Sequence, residues 1–523
     1  MKDEILIGRR IGDEPPEPPE PWDTPRVAAQ RRAKSCGKHG DRVTLTREQL
    51  KKGHTHVRGR TGSGKSQLVL LPIVLQLLES YSLRYRDASG KERRVKERDT
   101  VCIFDNGGDR ALFNAVREAA LRLGRTFRYL SLDSDKSYGF DPFQSVPASE
   151  DRIIRLCNLL TEALNLEHGS IYGGAYFTQR NLAQLLAVAE KAVEEKAAGR
   201  NVSLGDIDRY VQQKQHQIKD AEQVRMIFRF LTRYEQLQPQ SKDVNAIDFK
   251  RAIRDREVIY FFTPTLGEAV TARQIAGLGL YNAVNAAVEL AEERDGSLRE
   301  RPVPHMHLIV DEFQELVGRG FASLMAQARK FGCSMICANQ STEQLNNRDL
   351  SLADIVRDNT TTKIYFTCTG KADTEELQGY SKQARATLTT TRESSPAIAN
   401  AGRTGGGESY SEYVTPLLTA NAIIDTTATA REFFLVDQTG GGHREPIRTK
   451  ADYVLTEAEY TEHLNTPLEA VARENSRKSE GSTKKREAPW EERRRSKPGP
   501  ERAALLRKCS GKVAELLDEQ RWA

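Results

Sequence analysis

Residues 59–66 read GRTGSGKS, which fits G-x-x-x-x-G-K-[ST], with the strand-like THVRG leading in and a long apolar helical run leading out. The chemistry this pattern serves is phosphate binding. Gly59, Gly62 and Gly64 let the backbone curl, so that the N–H groups of Arg60, Thr61, Ser63 and their neighbours face phosphate oxygens at the positive end of a helix. Lys65 then reaches the β and γ phosphates, and Ser66 sets its hydroxyl on Mg²⁺. The expected cofactors are ATP and Mg²⁺, against the plainer possibility of a glycine-rich turn. A second run, LIVDEF, ends a strand at Asp311 and Glu312, at the edge where open α/β sheets bind their ligands. Asp311 is expected to hold Mg²⁺ through its water shell together with Ser66, and Glu312 to polarise an attacking water. The adjacent glutamate favours hydrolysis coupled to work over slow switching.

Two further polar residues complete the candidate site. Gln340 ends the strand-like SMICANQ, where it could report the state of the γ-phosphate; its bland reading is a loop glutamine. Arg329 lies in the basic cluster MAQARKFG, at the end of the helix between two strands. It could stabilise transition-state charge at a neighbouring subunit's nucleotide, or simply complement the helix macrodipole. The seven cysteines are scattered without a C-x-x-C pair and read as reduced structural thiols, with Cys333 and Cys337 too isolated for a zinc site.

The elements that must position these residues alternate strand and helix, which predicts an α/β fold: a RecA-like P-loop NTPase core with a parallel-rich sheet. Strands are expected at 100–105, 126–132, 257–263, 305–313, 334–340, 362–368 and 431–437, with helices over 65–80 and 110–123. From about 150 to 247 apolar residues recur at helical spacing, as in IIRLCNLLTEAL, which predicts an inserted all-α domain. The expected division is a disordered leader at 1–44, nucleotide-binding domain at 45–149 and 248–445, the insertion at 150–247, and a basic linker and tail at 446–523. The Ser-, Thr- and Gly-rich stretch 380–413 reads as a mobile loop, and ERAALLRKCSGKVAELLDEQRW as a possible terminal helix with Leu516 and Trp522 on one side.

A chain of 523 residues with 38% hydrophobic and 29% charged side chains is long enough for a full core and is neither disordered nor collagen-like. The apolar run 68–78 is broken by Pro72 and Gln76 and is far shorter than the roughly 20 residues of a bilayer span. No secretory signal is visible, so a cytosolic location is expected. Net charge is +6, unevenly distributed: residues 1–23 carry −4, residues 26–60 carry +9 and residues 477–512 carry +8. The two basic flanks are candidate phosphate contacts, the second also a candidate solvated tail.

Taken in order, GRTGSGKS, FDNGGD, FRYLSLDSDKSYGFDPFQ, VIYFFTPTL, LIVDEFQEL, ARKFGCSMICANQS and NTTTKIYFTC resemble the TraD/TraG-type coupling proteins of conjugation and type IV secretion, over roughly residues 45–440. The DEF-x-x-L strand end and the segment from RKFG to Gln340 are the most specific parts; the P-loop alone is shared with the related FtsK and HerA motors. The resemblance implies a ring of six subunits around DNA, hydrolysing ATP to move single-stranded DNA or nucleoprotein into a channel. It implies P-loop roles for Lys65 and Ser66, the hydrolytic acid pair at Asp311 and Glu312, an inter-subunit arginine at Arg329 and a sensor at Gln340. It also implies that the helical insertion meets the relaxosome. The chain departs from the pattern in lacking N-terminal membrane helices, which points to a separate membrane partner and a peripheral position at the inner membrane. It departs again at DNGGD, where the family has a proline and a lysine before Gly108. The alternatives are an FtsK/HerA-like motor for packaging, element mobilisation or defence, and an ATP-gated adaptor that recruits cargo without translocating it.

Overall fold

The computed structural model describes residues 3–12, 37–86, 91–144, 153–166, 174–198, 202–213, 222–239, 246–295, 304–316, 318–347, 350–366, 370–392, 407–439, 445–469 and 471. The strands are β1 Glu4–Arg10, β2 Arg42–Thr46, β3 His54–Arg58, β4 Tyr81–Arg86, β5 Glu92–Glu97, β6 Thr100–Asp105, β7 Phe127–Ser131, β8 Val258–Phe262 and β9 Met306–Asp311. They continue with β10 Cys333–Asn339, β11 Asn346–Asn347, β12 Leu350–Ser351, β13 Thr360–Tyr365, β14 Gln383–Arg392, β15 Gly407–Pro416, β16 Glu432–Asp437 and β17 Ile447–Lys450.

Eleven of these build one sheet in the order β2-β1-β17-β16-β13-β3-β10-β9-β6-β8-β7. From β13 to β7 every pairing is parallel. From β13 outward through β16, β17, β1 and β2 every pairing is antiparallel. The parallel strands are buried along nearly their whole length because both faces are covered, and most of them are rich in apolar residues. Alternate residues serve different sides: Cys102, Phe104, Leu308, Val310, Met335 and Cys337 enter one buried cluster, whereas Val101, Ile103, Ile309, Ile336 and Val57 enter the other.

The second cluster is closed by the helices Leu71–Leu78 and Arg110–Arg122. The first is closed by the helix Ala269–Asp295 and by the five helices Ile153–Ala163, Gly174–Ala197, Leu204–Gln213, Glu222–Leu231 and Phe249–Asp255 described between β7 and β8. The expected helical insertion therefore shares a continuous apolar core with the sheet rather than standing apart from it. Cys102, Cys157, Cys333 and Cys337 are buried free thiols in this framework. Among the described residues no cluster of three metal-ligating side chains occurs, and no helix is long and apolar enough to cross a membrane.

Several expectations need correction. Residues 4–10, read as part of a disordered leader, form β1, with Ile5, Leu6 and Ile7 buried. At the bulge between Leu6 and Gly8 the backbone is held by Gln76: Leu6 N donates to Gln76 Oε1 at 2.8 Å and Gln76 Nε2 donates to Leu6 O at 3.0 Å. β17 and the helix Glu457–Asn465 likewise lie where a linker and tail were expected. The stretch read as a loop at 380–413 carries the two ten-residue strands β14 and β15, paired from Gln383 with Pro416 to Arg392 with Gly407. The helix expected over 65–80 opens as a π-helix, Lys65–Leu70, before its α-helical part. Part of the first basic block is spent internally, since Arg47 and Lys51 pair with Asp99, and Arg58 with Asp373 and Glu376. The basic tail at 477–512 and the proposed terminal helix lie outside the described residues.

Candidate functional site

Strands β3, β10, β9 and β6 run side by side and parallel, so the segments leaving their carboxyl ends gather at one edge of the sheet. Those segments are Gly59–Ser66, Gln340 onward, Asp311–Glu312 and the turn 105–109. Register places Asp311 opposite Asp105 on one side and Ala338 on the other.

In the glycine-rich loop, Gly62 and Gly64 have φ of 80° and 92°, in the left-handed region that glycine enters without strain. Gly59 N donates to Asn339 O at 3.1 Å, and a Cβ on Gly59 would sit 2.7 Å from both Phe366 Cβ and Ser63 Oγ. Arg60 and Thr61 lie exposed at the tip, and Ser63 N closes a turn onto Arg60 O at 3.1 Å. Lys65, at the start of the helix, is buried; its Nζ donates to Gly59 O at 2.6 Å and lies 3.9 Å from Glu312 Oε1.

The acidic half of the site meets this loop directly. Ser66 Oγ donates to Asp311 Oδ2 at 2.9 Å. Glu312 adopts φ of 50°, a left-handed conformation that costs a non-glycine residue about 1–3 kcal/mol and persists only where the surroundings enforce it. Its carboxylate is gripped by two amides, Gln340 Nε2 at 3.2 Å and Gln314 Nε2 at 2.5 Å, both on Oε2. The structure thus brings together Gly59, Arg60, Thr61, Gly62, Ser63, Gly64, Lys65, Ser66, Asp311, Glu312 and Gln340.

Arg329 stands apart from them. It is exposed in the 3-10 turn Ala328–Phe331 that precedes β10, and it donates to Lys52 O at 3.1 Å just before β3. That is the opposite end of the same strands, roughly 20 Å away for a seven-residue strand. Arg329 cannot serve the nucleotide site of its own chain.

Other site residues escaped the sequence reading. Asp105 is fully buried beside Asp311, accepts from Tyr260 OH at 2.8 Å, and shapes the next turn by accepting from Gly108 N at 2.7 Å and Asp109 N at 3.0 Å. Asp109 caps the helix Arg110–Arg122 through Ala111 N and Leu112 N, and also accepts from Gln67 Nε2 at 2.9 Å. The available signal was FDNGGD itself, a second acid at the end of a buried strand. Behind the loop, Arg58 binds Asp373 at 2.7 Å and Glu376 at 2.8 Å, and Asp373 also accepts from Thr342 Oγ1, two residues past Gln340.

The electrostatics suit a cation and polyphosphate. Burial first, and the neighbouring Glu312 second, push the Asp311 carboxyl up to about 6, with Lys65 and Ser66 pulling it back. Burial, then Asp311, push Asp105 up to about 7. Carboxylates and a serine hydroxyl form an all-oxygen donor set suited to Mg²⁺, which keeps several waters and needs few protein ligands.

Comparison with known proteins follows this geometry. Residues 305–426 match the family model described as the TraM recognition site of TraD and TraG, a stretch that includes Asp311, Glu312, Arg329 and Gln340. No curated protein matches the chain. Among solved structures, the unbound bacterial conjugative coupling protein TrwBdeltaN70 is 14% identical, with a TM-score of 0.51 over 78% of this chain and 87% of that one. The plasmid coupling protein TrwB, in complex with the non-hydrolysable ATP analogue ADPNP and in complex with ADP and Mg²⁺, gives the same identity and TM-score in each case, over 79% of this chain and 87% of the other. The chain therefore has the RecA-like P-loop NTPase fold of a coupling protein, and its TraD/TraG-type resemblance stands on the matched segment and the shared fold.

Proposed function

We propose that this protein is an ATP-driven DNA-translocating motor of the coupling-protein type, delivering DNA or nucleoprotein to a transfer channel. One observation carries the reading: Lys65, Ser66, Asp311, Glu312 and Gln340 converge at the carboxyl ends of adjacent parallel strands. ATP sits with its phosphates in the Gly59–Ser66 loop. Ser66 and Asp311 hold Mg²⁺, which supplies charge neutralisation on the phosphates. Glu312, held by Gln340 and Gln314, orients and polarises the attacking water and takes up its proton at the carboxylate. Gln340 donates to Glu312, so a change at the γ-phosphate would reach it through that carboxylate. Arg329, on the far end of the strands, serves the site of a neighbouring subunit in a homo-hexamer. DNA, relaxosome components and a membrane-anchoring protein are the proposed partners. The TraM recognition match and the likeness to TrwB support this reading over an FtsK/HerA-like motor of another role.

The test is Glu312→Gln. The variant keeps the buried contacts and should bind an ATP analogue with wild-type affinity while turnover falls by about 100-fold or more, the range for loss of a group acting in the transition state. Wild-type ATPase should rise severalfold with single-stranded DNA at low salt. A wild type that binds ATP but hydrolyses it slowly and without regard to DNA would instead indicate an ATP-gated adaptor.

A further inference from the structure

The peptide that precedes the left-handed Glu312 is held by hydrogen bonds, and one of these comes from a side chain to which the sequence reading gave no role. Asn106, only 1% exposed, donates from Nδ2 to Asp311 O at 3.1 Å. A carbonyl oxygen only accepts, so the amide nitrogen must face Asp311, and Oδ1 must face the other way. There it accepts from Thr263 Oγ1 at 3.1 Å, and Thr263 is itself fully buried. The Asn106 carbonyl is occupied as well, by Thr265 N at 3.1 Å and Thr265 Oγ1 at 3.3 Å. Both polar groups of the Asn106 side chain are therefore engaged, Nδ2 by Asp311 O and Oδ1 by the buried Thr263 hydroxyl, while Thr265 holds its main-chain carbonyl. The peptide it grips is the one whose rotation would release Glu312.

We propose that Asn106 is a positioning residue for hydrolysis, holding the Asp311–Glu312 peptide so that the glutamate points at the γ-phosphate, and that Thr263 orients Asn106 for this task. The proposal rests on the hydrolytic reading of the site. Its physical content is a chain of two hydrogen bonds, Thr263 hydroxyl to Asn106 amide to Asp311 carbonyl, ending at the peptide that joins Asp311 to a strained residue. The same chain ties the glutamate to the turn after β8, where Leu266 is 97% exposed and Gly267 has φ of 98°. A contact made by that turn would be felt at Glu312 through Thr263 and Thr265.

Thr263 permits a test in which packing and hydrogen bonding predict opposite orders. Thr263→Val keeps the volume and removes the hydroxyl; Thr263→Ser keeps the hydroxyl and removes a methyl group. The proposal expects kcat to fall about 3- to 10-fold in Thr263→Val, the size of one neutral hydrogen bond, with Thr263→Ser within about 2-fold of wild type. KM for ATP, and the affinity for an ATP analogue, should stay within about 2-fold in both, because the chain acts on the glutamate and not on the phosphate loop. Asn106→Ala should lower kcat further in the same direction. A serine variant as impaired as the valine variant, or a valine variant at the wild-type rate, overturns the proposal while leaving the hydrolase reading intact. A wild type that fails to bind the analogue overturns both.

Discussion

The site holds three carboxylates, Asp105, Asp311 and Glu312, and Lys65 lies 3.9 Å from the last of them and lowers the pKa of the second. Lys65 therefore has two tasks, to meet phosphate and to offset acid crowding before phosphate arrives. Lys65→Ala should weaken binding of an ATP analogue about 10- to 100-fold, the value of one or two charge-assisted hydrogen bonds, as read by titration calorimetry. The same variant should raise the Asp311 pKa above its already elevated value, since Lys65 opposes that rise. An unchanged affinity would mean that the loop does not hold phosphate. At this scale the sequence was informative wherever chemistry depends on local spacing. GRTGSGKS and DE each carry their geometry within a few residues of chain. Asp105, Tyr260 and Asn106 were illegible as site residues because their roles come from burial and from partners 150 or more residues away. Asn106 showed only as a departure from the coupling-protein pattern.

Elements were legible in proportion to how fully they are buried. Six of the seven strands of the parallel core read as strands from their apolar content, and β3 from its place before the glycine-rich loop, whereas β1, β2 and β17 were missed. These strands, at the antiparallel end of the sheet, depend on pairing with one another across the length of the chain, and β1 additionally on Gln76. β14 and β15 were hidden by Thr- and Ser-rich sequence whose β-branched residues suit a two-stranded ribbon as well as a loop. The buried strand ends also hold polar groups that depend on pH. On β3, His54 Nδ1 accepts from Met335 N at 2.9 Å while Nε2 donates to Met325 O at 2.7 Å, a pattern that requires neutral imidazole. Burial, the largest cause, takes its pKa down from 6.5 to about 4, with Arg329 adding to the effect and the bond to Met325 opposing it. A histidine with a lowered folded pKa binds fewer protons folded than unfolded. Its contribution is therefore full above pH 6.5 and is lost as pH falls toward 4. Relative to His54→Asn, whose side-chain oxygen can still accept from Met335, wild type should lose about 3 kcal/mol across that window in urea unfolding. The raised carboxyls of Asp105 and Asp311 have the opposite slope but are common to both proteins, so the difference isolates His54. A difference that stays constant with pH would show that His54 does not titrate on unfolding.

For the whole molecule, the decisive fact is the separation of Arg329 from the nucleotide site of its own chain. One chain presents a phosphate loop at the carboxyl edge of its sheet and an exposed arginine at the amino edge. In the proposed hexamer, the arginine edge of one subunit faces the phosphate edge of the next, a heterologous contact that closes into a ring. On that reading, Arg329→Ala should bind an ATP analogue normally and yet turn over at least about 1000-fold more slowly, as expected for loss of an arginine finger. Lys65→Ala, with its analogue affinity lowered about 10- to 100-fold, should leave its own site inactive. Mixing the two inactive proteins then gives a result neither can give alone. Wherever an Arg329→Ala subunit offers its intact phosphate loop to the intact arginine of a Lys65→Ala neighbour, one competent site forms. ATPase should reappear on mixing, depend on total protein concentration, and be absent when Arg329→Ala is mixed with Glu312→Gln carrying Arg329→Ala as well, because no intact arginine remains. If each subunit worked alone, mixing would restore nothing, and Arg329→Ala by itself would retain wild-type turnover.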